Sequence, residues 1–125
     1  MGTILVVDDS ETLRGQIRNI LEAGGFNALE AGNGLEGIAK LKANKEILLI
    51  LCDVNMPQMD GITMCQTVHK DEAINRIPII MLTTEASADL KKSGKEAGVV
   101  AWMTKPVNGE KLIATVTKVL GRVAA

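Results

Sequence analysis

Six consecutive apolar residues, Ile47-Leu48-Leu49-Ile50-Leu51-Cys52, form the longest apolar run in this sequence of 125 residues. The run shows no alternation of apolar and polar residues, which is typical of a strand buried on both faces of a parallel sheet. Shorter runs of the same kind, rich in Ile, Val and Leu, lie at residues 4–7, 79–82 and 99–102. Residues 26–30 alternate instead, and this predicts a fifth, more exposed edge strand.

Segments with helical periodicity separate these runs. An i, i+4, i+7, i+8 pattern starts at Leu13 and is ended by Gly24-Gly25, and an amphipathic stripe covers residues 112–123. Candidate N-caps for three further helices are Asn33, Asp60 and Ser87. The strand–helix repeats predict an α/β fold in a single domain over residues 1–125: a five-stranded parallel sheet with helices on both faces, because parallel strands need crossover connections.

Composition disfavours several classes of function. Lys and Arg number 14 against 15 for Asp and Glu, so the net charge of −1 offers no basic excess for nucleic acid. The aromatic residues, Phe26 and Trp102, are too few for a base-stacking platform. The longest apolar run is far shorter than the roughly 18 residues of a membrane span, and the N-terminus has no export pattern. We therefore expect a cytoplasmic protein that binds neither nucleic acid nor membrane.

The two cysteines, Cys52 and Cys65, lack the spacing of a metal or redox motif. They are expected to be reduced and partly buried, as free cysteines usually are.

Polar side chains stand where four of the predicted strands end: Asp8-Asp9, Asp53, Thr83 and Lys105. Ligands of open α/β sheets bind at the carboxyl ends of the strands, so these groups should share one crevice. Carboxylates about 4 Å apart repel by roughly 4 kcal/mol per pair at an effective dielectric near 20. Lys105 supplies one compensating charge, and Mg²⁺, a hard cation that prefers oxygen ligands, would supply the rest.

Each of these groups also has a plain structural explanation. Asp8-Asp9-Ser10 is a typical helix N-cap, Lys105-Pro106 a turn and Thr83 a polar loop residue. Capping does not explain their joint occurrence, because Asp53 and Lys105 are not caps.

The chain resembles the receiver domains of two-component response regulators, most closely the single-domain, CheY-like chemotaxis regulators. The resemblance covers the whole chain and implies the strand order 2-1-3-4-5. The segments that carry it are Val6-Val7-Asp8-Asp9-Ser10, Cys52-Asp53-Val54-Asn55-Met56-Pro57, Met59-Asp60-Gly61, Leu82-Thr83-Thr84 and Thr104-Lys105-Pro106.

The resemblance implies a role for each acidic residue. Asp53 matches the phosphoaccepting aspartate, which attacks the phosphorus of a phosphohistidine on a CheA-like histidine kinase. Asp9 and Asp53 match ligands of Mg²⁺, with the backbone carbonyl of Asn55 as the remaining protein ligand. Asp8 matches the neighbouring carboxylate that shapes the metal site indirectly.

The resemblance also assigns the switch. Thr83 and Lys105 match the hydroxyl and ammonium that receive phosphoryl oxygens, and Trp102 lies at the position of the switch aromatic. A Trp that only covers the sheet edge is the alternative. Asn55 and Glu85 match positions that influence the lifetime of the phosphate.

The expected function is that of a stand-alone response regulator in chemotaxis, which promotes its own phosphorylation and dephosphorylation and is otherwise not an enzyme. From Thr83 onward the sequence contains seven basic and four acidic residues, so the last two helices and the last strand are expected to form a mildly basic target surface, for a partner such as a flagellar motor switch protein. A solvated helix face is the alternative. A phosphatase that acts on the chain is a further possible partner.

Other functions stay open. The chain could be a phosphorelay intermediate that passes its phosphate to a histidine phosphotransfer protein, or a receiver module of a larger regulator. A hydrolytic phosphatase is disfavoured because Asn55 cannot serve as an acid or base two positions after the nucleophile. A metal-free pseudo-receiver is disfavoured by the complete set of site residues.

Overall fold

Strands and helices alternate along the chain, as the sequence predicts. The computed structural model describes residues 2–54, 56, 59–84 and 87–124. The strands are β1 (Thr3–Val7), β2 (Asn27–Ala31), β3 (Ile47–Asp53), β4 (Ile79–Thr83) and β5 (Val99–Thr104). The helices are α1 (Glu11–Ala23), α2 (Gly34–Ala43), α3 (Gly61–Lys70), α4 (Ala88–Glu96) and α5 (Gly109–Ala124).

The five strands form one parallel sheet in the order β2-β1-β3-β4-β5. This confirms the predicted order and places β1, β3 and β4 inside the sheet. Helices α1 and α5 pack on one face, and α2, α3 and α4 pack on the other. Each face has its own apolar core, which explains why the central strands carry apolar residues at successive positions.

Two register shifts interrupt the sheet. Strand β1 pairs Thr3 with Ile47 and then Ile4 with Leu49, so Leu48 is passed over and is 48% exposed. The same happens in β5, where Val100 is 49% exposed. The two apolar runs therefore each contain one residue that the core does not use, a detail that their composition does not reveal.

The helix starts follow the predicted caps. Asn33, Asp60 and Ser87 each accept a hydrogen bond from the backbone N–H three residues later. The strands differ from the apolar runs mainly at their ends: β2 begins after Phe26, and β3, β4 and β5 continue to polar residues. Among the described residues, no helix is long and apolar enough to cross a membrane.

Candidate functional site

The carboxyl ends of β1, β3, β4 and β5 bring the predicted polar groups to one edge of the sheet. Asp53 and Thr83 are the last residues of β3 and β4, while Asp8 and Lys105 directly follow β1 and β5. Asp8, Asp53 and Thr83 are buried, with 1%, 5% and 2% of their surfaces exposed. The structure thus encloses ionisable groups at the end of an otherwise apolar sheet.

Three carboxylates form the centre of the site. One oxygen each of Asp8, Asp9 and Asp53 lies within 4.8 Å of the others. Asp9 is exposed, whereas Asp8 and Asp53 are buried, so the cluster has one side open to solvent. This arrangement offers a cation several carboxylate oxygens and room for water ligands.

Local hydrogen bonds hold Asp8 in place. Its Oδ1 accepts a hydrogen bond from the backbone N–H of Ser10 at 2.8 Å. Its backbone carbonyl accepts one from the guanidinium of Arg14 at 2.7 Å, and that guanidinium also binds Glu30 of β2. Sequence patterns do not single out Arg14; its position one turn after the Ser10 cap is the indication that could have found it.

Lys105 joins two of the carboxylates. Its Nζ lies 3.0 Å from Oδ1 of Asp53 and 3.1 Å from Oδ2 of Asp8. The backbone N–H of Lys105 donates to the carbonyl of Thr83 at 2.9 Å, which anchors the lysine to the end of β4. The following peptide bond, Lys105–Pro106, is cis. One ammonium group therefore faces two buried carboxylates, so the negative charge of the cluster is only partly compensated.

The protonation equilibria reflect this crowding. Burial raises the pKa of Asp53; the hydrogen bond from Lys105 opposes this, while the charge of Asp8 adds to it. Burial lowers the pKa of Lys105, but its bonds to Asp53 and Asp8 outweigh burial and leave that pKa above its ordinary value. A further positive charge beside the carboxylates would favour ionised Asp53.

The donor set fits a hard divalent cation. Mg²⁺ takes oxygen ligands, keeps several waters and is commonly held by one or two carboxylates together with phosphate oxygens. Asp9 and Asp53 offer these carboxylates, and Asp8 lies beside them. Asn55 and Glu85, for which the resemblance implies roles in the metal site and in phosphate lifetime, lie outside the described residues.

A close approach of the backbone supports the end of β3. A Cβ atom on Gly61 would lie 2.2 Å from the carbonyl oxygen of Asp53 and 2.9 Å from Cα of Val54. The Gly61 N–H donates to the carbonyl of Val54 at 2.8 Å. Only glycine lets α3 start this close to the phosphoacceptor candidate.

Cys52 lies directly before Asp53 but faces the core. Its thiol donates to the carbonyl of Asp53 at 3.3 Å and approaches the sulfur of Met64 at 3.7 Å. A hydrogen bond with Cys65 and burial raise its pKa well above the ordinary value. Both cysteines are free and fully buried, which agrees with the expected reduced state and makes them poor nucleophiles.

Trp102 lies on β5, away from the carboxylates. It pairs in register with Met81, two residues before Thr83, and is partly buried against the core under α4. Beside it opens a cavity of about 390 Å³ between β5 and the helices α4 and α5. Two lysines, Lys91 and Lys111, line this cavity, so the proposed target face combines an indole with positive charge.

Comparisons with known proteins identify the family to which the chain is similar. The family profile described as response regulator receiver domain matches residues 4–117. Chemotaxis protein CheY1 of Helicobacter pylori is 39% identical over 119 residues, covering 94% of this chain and 96% of CheY1. Sensor histidine kinase CheAY of the same species is 39% identical over 116 residues, covering 92% of this chain but 14% of CheAY. Protein PilH of Pseudomonas aeruginosa is 36% identical, covering 96% and 98% of the two chains.

Solved structures share the architecture. Chemotaxis protein CheY4 of Vibrio cholerae superposes with a TM-score of 0.90 at 36% identity, covering 95% of this chain and 98% of CheY4. A CheY-like receiver domain protein of Methanospirillum hungatei gives a TM-score of 0.91 at 30% identity, covering 99% and 97%. Sequence and fold therefore lead to the same group of proteins.

Proposed function

This chain belongs to the response regulator receiver domain family, and from that premise we propose that it accepts a phosphoryl group on Asp53 from a histidine kinase and then regulates a partner protein. The observation that carries the proposal is the bridge from Lys105 to the buried carboxylates of Asp53 and Asp8. Among the described residues, Lys105 is the cation that bridges Asp8 and Asp53, and burying two carboxylates against one ammonium group is costly for stability, which favours a chemical role.

The proposed chemistry is phosphoryl transfer to a carboxylate. A carboxylate oxygen of Asp53 attacks the phosphorus of phosphohistidine; the new P–O bond forms as the P–N bond breaks, and the imidazole nitrogen keeps the electron pair. Ionised Asp53 needs no general base for this step. Lys105 would neutralise charge on the phosphoryl oxygens, and the Thr83 hydroxyl is the second candidate donor.

Asp9 and Asp53, with Asp8 beside them, would hold Mg²⁺. When bound, the cation neutralises charge on the phosphoryl group during transfer. The exposed position of Asp9 leaves that side of the cluster accessible to a phosphodonor.

For the pathway, we propose chemotaxis, with the chain acting in the cytoplasm as a single receiver unit. The similarity to CheY1 over nearly the full length of both chains supports this proposal, and the similarity to part of CheAY supports a CheA-like kinase as the donor. The target would bind the face formed by α4, β5 and α5 and could be a flagellar motor switch protein.

Phosphotransfer tests the proposal directly. The chain should gain one phosphoryl group from acetyl phosphate or a phosphorylated CheA-like kinase in the presence of Mg²⁺, detected by intact-protein mass spectrometry. Asp53→Asn should lose the modification, because an amide is a far poorer nucleophile. Asp89→Asn, at an exposed position of α4, is the matched control and should be modified normally.

Unchanged phosphorylation of Asp53→Asn would disprove the assignment of the phosphoacceptor. Rapid onward transfer to a histidine phosphotransfer protein, with no binding to a motor switch protein, would identify a phosphorelay intermediate instead.

A further inference from the structure

Gly94 lies buried inside α4, directly under the ring of Trp102. A Cβ atom at this position would lie 2.2 Å from Cζ2 and 2.9 Å from Cη2 of the indole. Carbon atoms in contact stay about 3.5 to 4.0 Å apart, so the space that a side chain would need is already filled by Trp102.

The backbone gives no other reason for glycine here. Gly94 has helical geometry inside α4, which any residue can adopt and which glycine itself disfavours. Gly15 in α1 and Gly121 in α5 offer a contrast, because a Cβ atom at either would meet nothing within 4 Å. Contact with Trp102 is therefore what distinguishes Gly94 from these two helical glycines.

We infer that Gly94 is a positioning residue: it forms the seat that holds the Trp102 indole against α4 and so shapes the cavity of the target face. The role of that face rests on the proposed function, whereas the packing of the indole does not.

The register of β5 explains why the indole reaches α4. Ile79 pairs with Val99 and Ile80 with Ala101, so Val100 is skipped and Trp102 shares a face with Val99. The indole then lies between α4 and the cavity of about 390 Å³ that Lys91 and Lys111 line. A methyl group at position 94 would collide with the ring, and the cavity that Trp102 lines offers space into which the ring can move.

A double-mutant cycle tests the packing of the Trp102 indole against Gly94. Gly94→Ala should lower the urea midpoint of unfolding, followed by far-UV circular dichroism, because the methyl group collides with the indole. In a Trp102→Leu background the same change should raise the midpoint, because the ring is gone and alanine favours the helix. Gly15→Ala, the matched control, should raise the midpoint in both backgrounds.

Fluorescence reports the environment of the indole itself, separately from the global stability that urea unfolding measures. Trp102 is the single Trp of the chain, so its emission reports the seat directly. In Gly94→Ala, measured without Mg²⁺ or phosphodonor, emission should shift to longer wavelength and acrylamide quenching should increase, whereas Gly15→Ala should match the parent chain.

A raised midpoint for Gly94→Ala in both backgrounds, or an emission spectrum equal to that of the parent, would overturn the inference. Neither the unfolding nor the fluorescence measurement uses phosphorylation, so the inference about Gly94 can fail while the proposed function stands. In turn, Gly94→Ala should still be phosphorylated on Asp53, because the seat lies away from the carboxylates.

Discussion

The ammonium group of Lys105 lies 3.0 Å from Oδ1 of Asp53, linking the end of β5 to the end of β3 across the intervening β4. The same nitrogen reaches Asp8 at the end of β1, so one side chain connects the ends of three strands. Both carboxylates are buried, and Lys105 is the cation that the structure places against them. Local stability and the proposed phosphoryl chemistry would thus depend on the same charges.

Removing this ammonium should destabilise the metal-free protein. We expect Lys105→Met to lower the free energy of unfolding by about 2 kcal/mol in EDTA, because two buried carboxylates lose their partner. Urea denaturation checks the value. Added Mg²⁺ should narrow the difference, since it supplies the missing positive charge.

The matched control is Lys118→Met on the exposed surface of α5, which should change stability by less than about 0.5 kcal/mol. Equal effects of the two substitutions would show that the bridge contributes nothing specific to stability.

The charge of Asp53 should make stability depend on pH in an unusual direction. Its folded-state pKa is raised, mainly by burial, so ionisation destabilises the folded chain. The contribution of Asp53 to folding stability is fully present below the ordinary pKa of 3.8, where the carboxyl group is protonated. It is lost as the pH rises through the higher pKa of the folded state. Asp53→Asn should therefore be more stable than the parent at pH 7 in EDTA, by a margin that shrinks as the pH falls toward 4.

Asp71 provides a control of opposite sign. The N–H of Ala73 and the ammonium of Lys42 lower its pKa, so its contribution is present above the ordinary pKa and is lost as the pH falls. Asp71→Asn should thus be less stable than the parent at pH 7. If both variants shift stability in the same direction, the assignment of the Asp53 charge is wrong.

The exposed acid should contribute to metal affinity. Asp9→Asn removes one charge from the carboxylate cluster, and we expect Mg²⁺ affinity to fall at least about tenfold, or 1.4 kcal/mol. Isothermal titration calorimetry measures this, with Asp89→Asn as a control of equal charge change. An unchanged Mg²⁺ affinity in Asp9→Asn would show that the metal site does not include Asp9.

Thr83 should couple the site to Trp102. Thr83 is buried, and we expect its hydroxyl to move toward a phosphoryl oxygen when Asp53 is phosphorylated. This contact would differ between the unphosphorylated and phosphorylated states, and only such differential contacts can shift a conformational equilibrium. Beryllofluoride with Mg²⁺ should change Trp102 emission beyond the effect of Mg²⁺ alone, and Thr83→Ala should reduce this additional change. A full additional change in Thr83→Ala would exclude the coupling but leave Asp53 phosphorylation intact.

The sheet and the positions of its polar residues could be predicted from periodicity. The carboxyl ends of parallel strands lie at one edge of the sheet. Five strand–helix repeats therefore predict that Asp53, Thr83 and Lys105 lie close together. Their types also predicted a cation site, because closely spaced carboxylates need positive charge, whereas the proposed phosphoryl transfer is what the resemblance to receiver domains implies. These conclusions depend on local composition and on the fixed handedness of crossovers.

Other features depend on contacts between segments distant in the chain. Asp8 and Asp9 are adjacent residues of the same type that periodicity alone does not separate, yet Asp8 turns inward to Lys105 while Asp9 stays exposed. The apolar run predicts that Val100 belongs to the core, but the register of β5 against β4 leaves it exposed. The same register turns Trp102 toward Gly94. Register and side-chain contacts result from packing whole elements together, so periodicity along one segment contains no information about them.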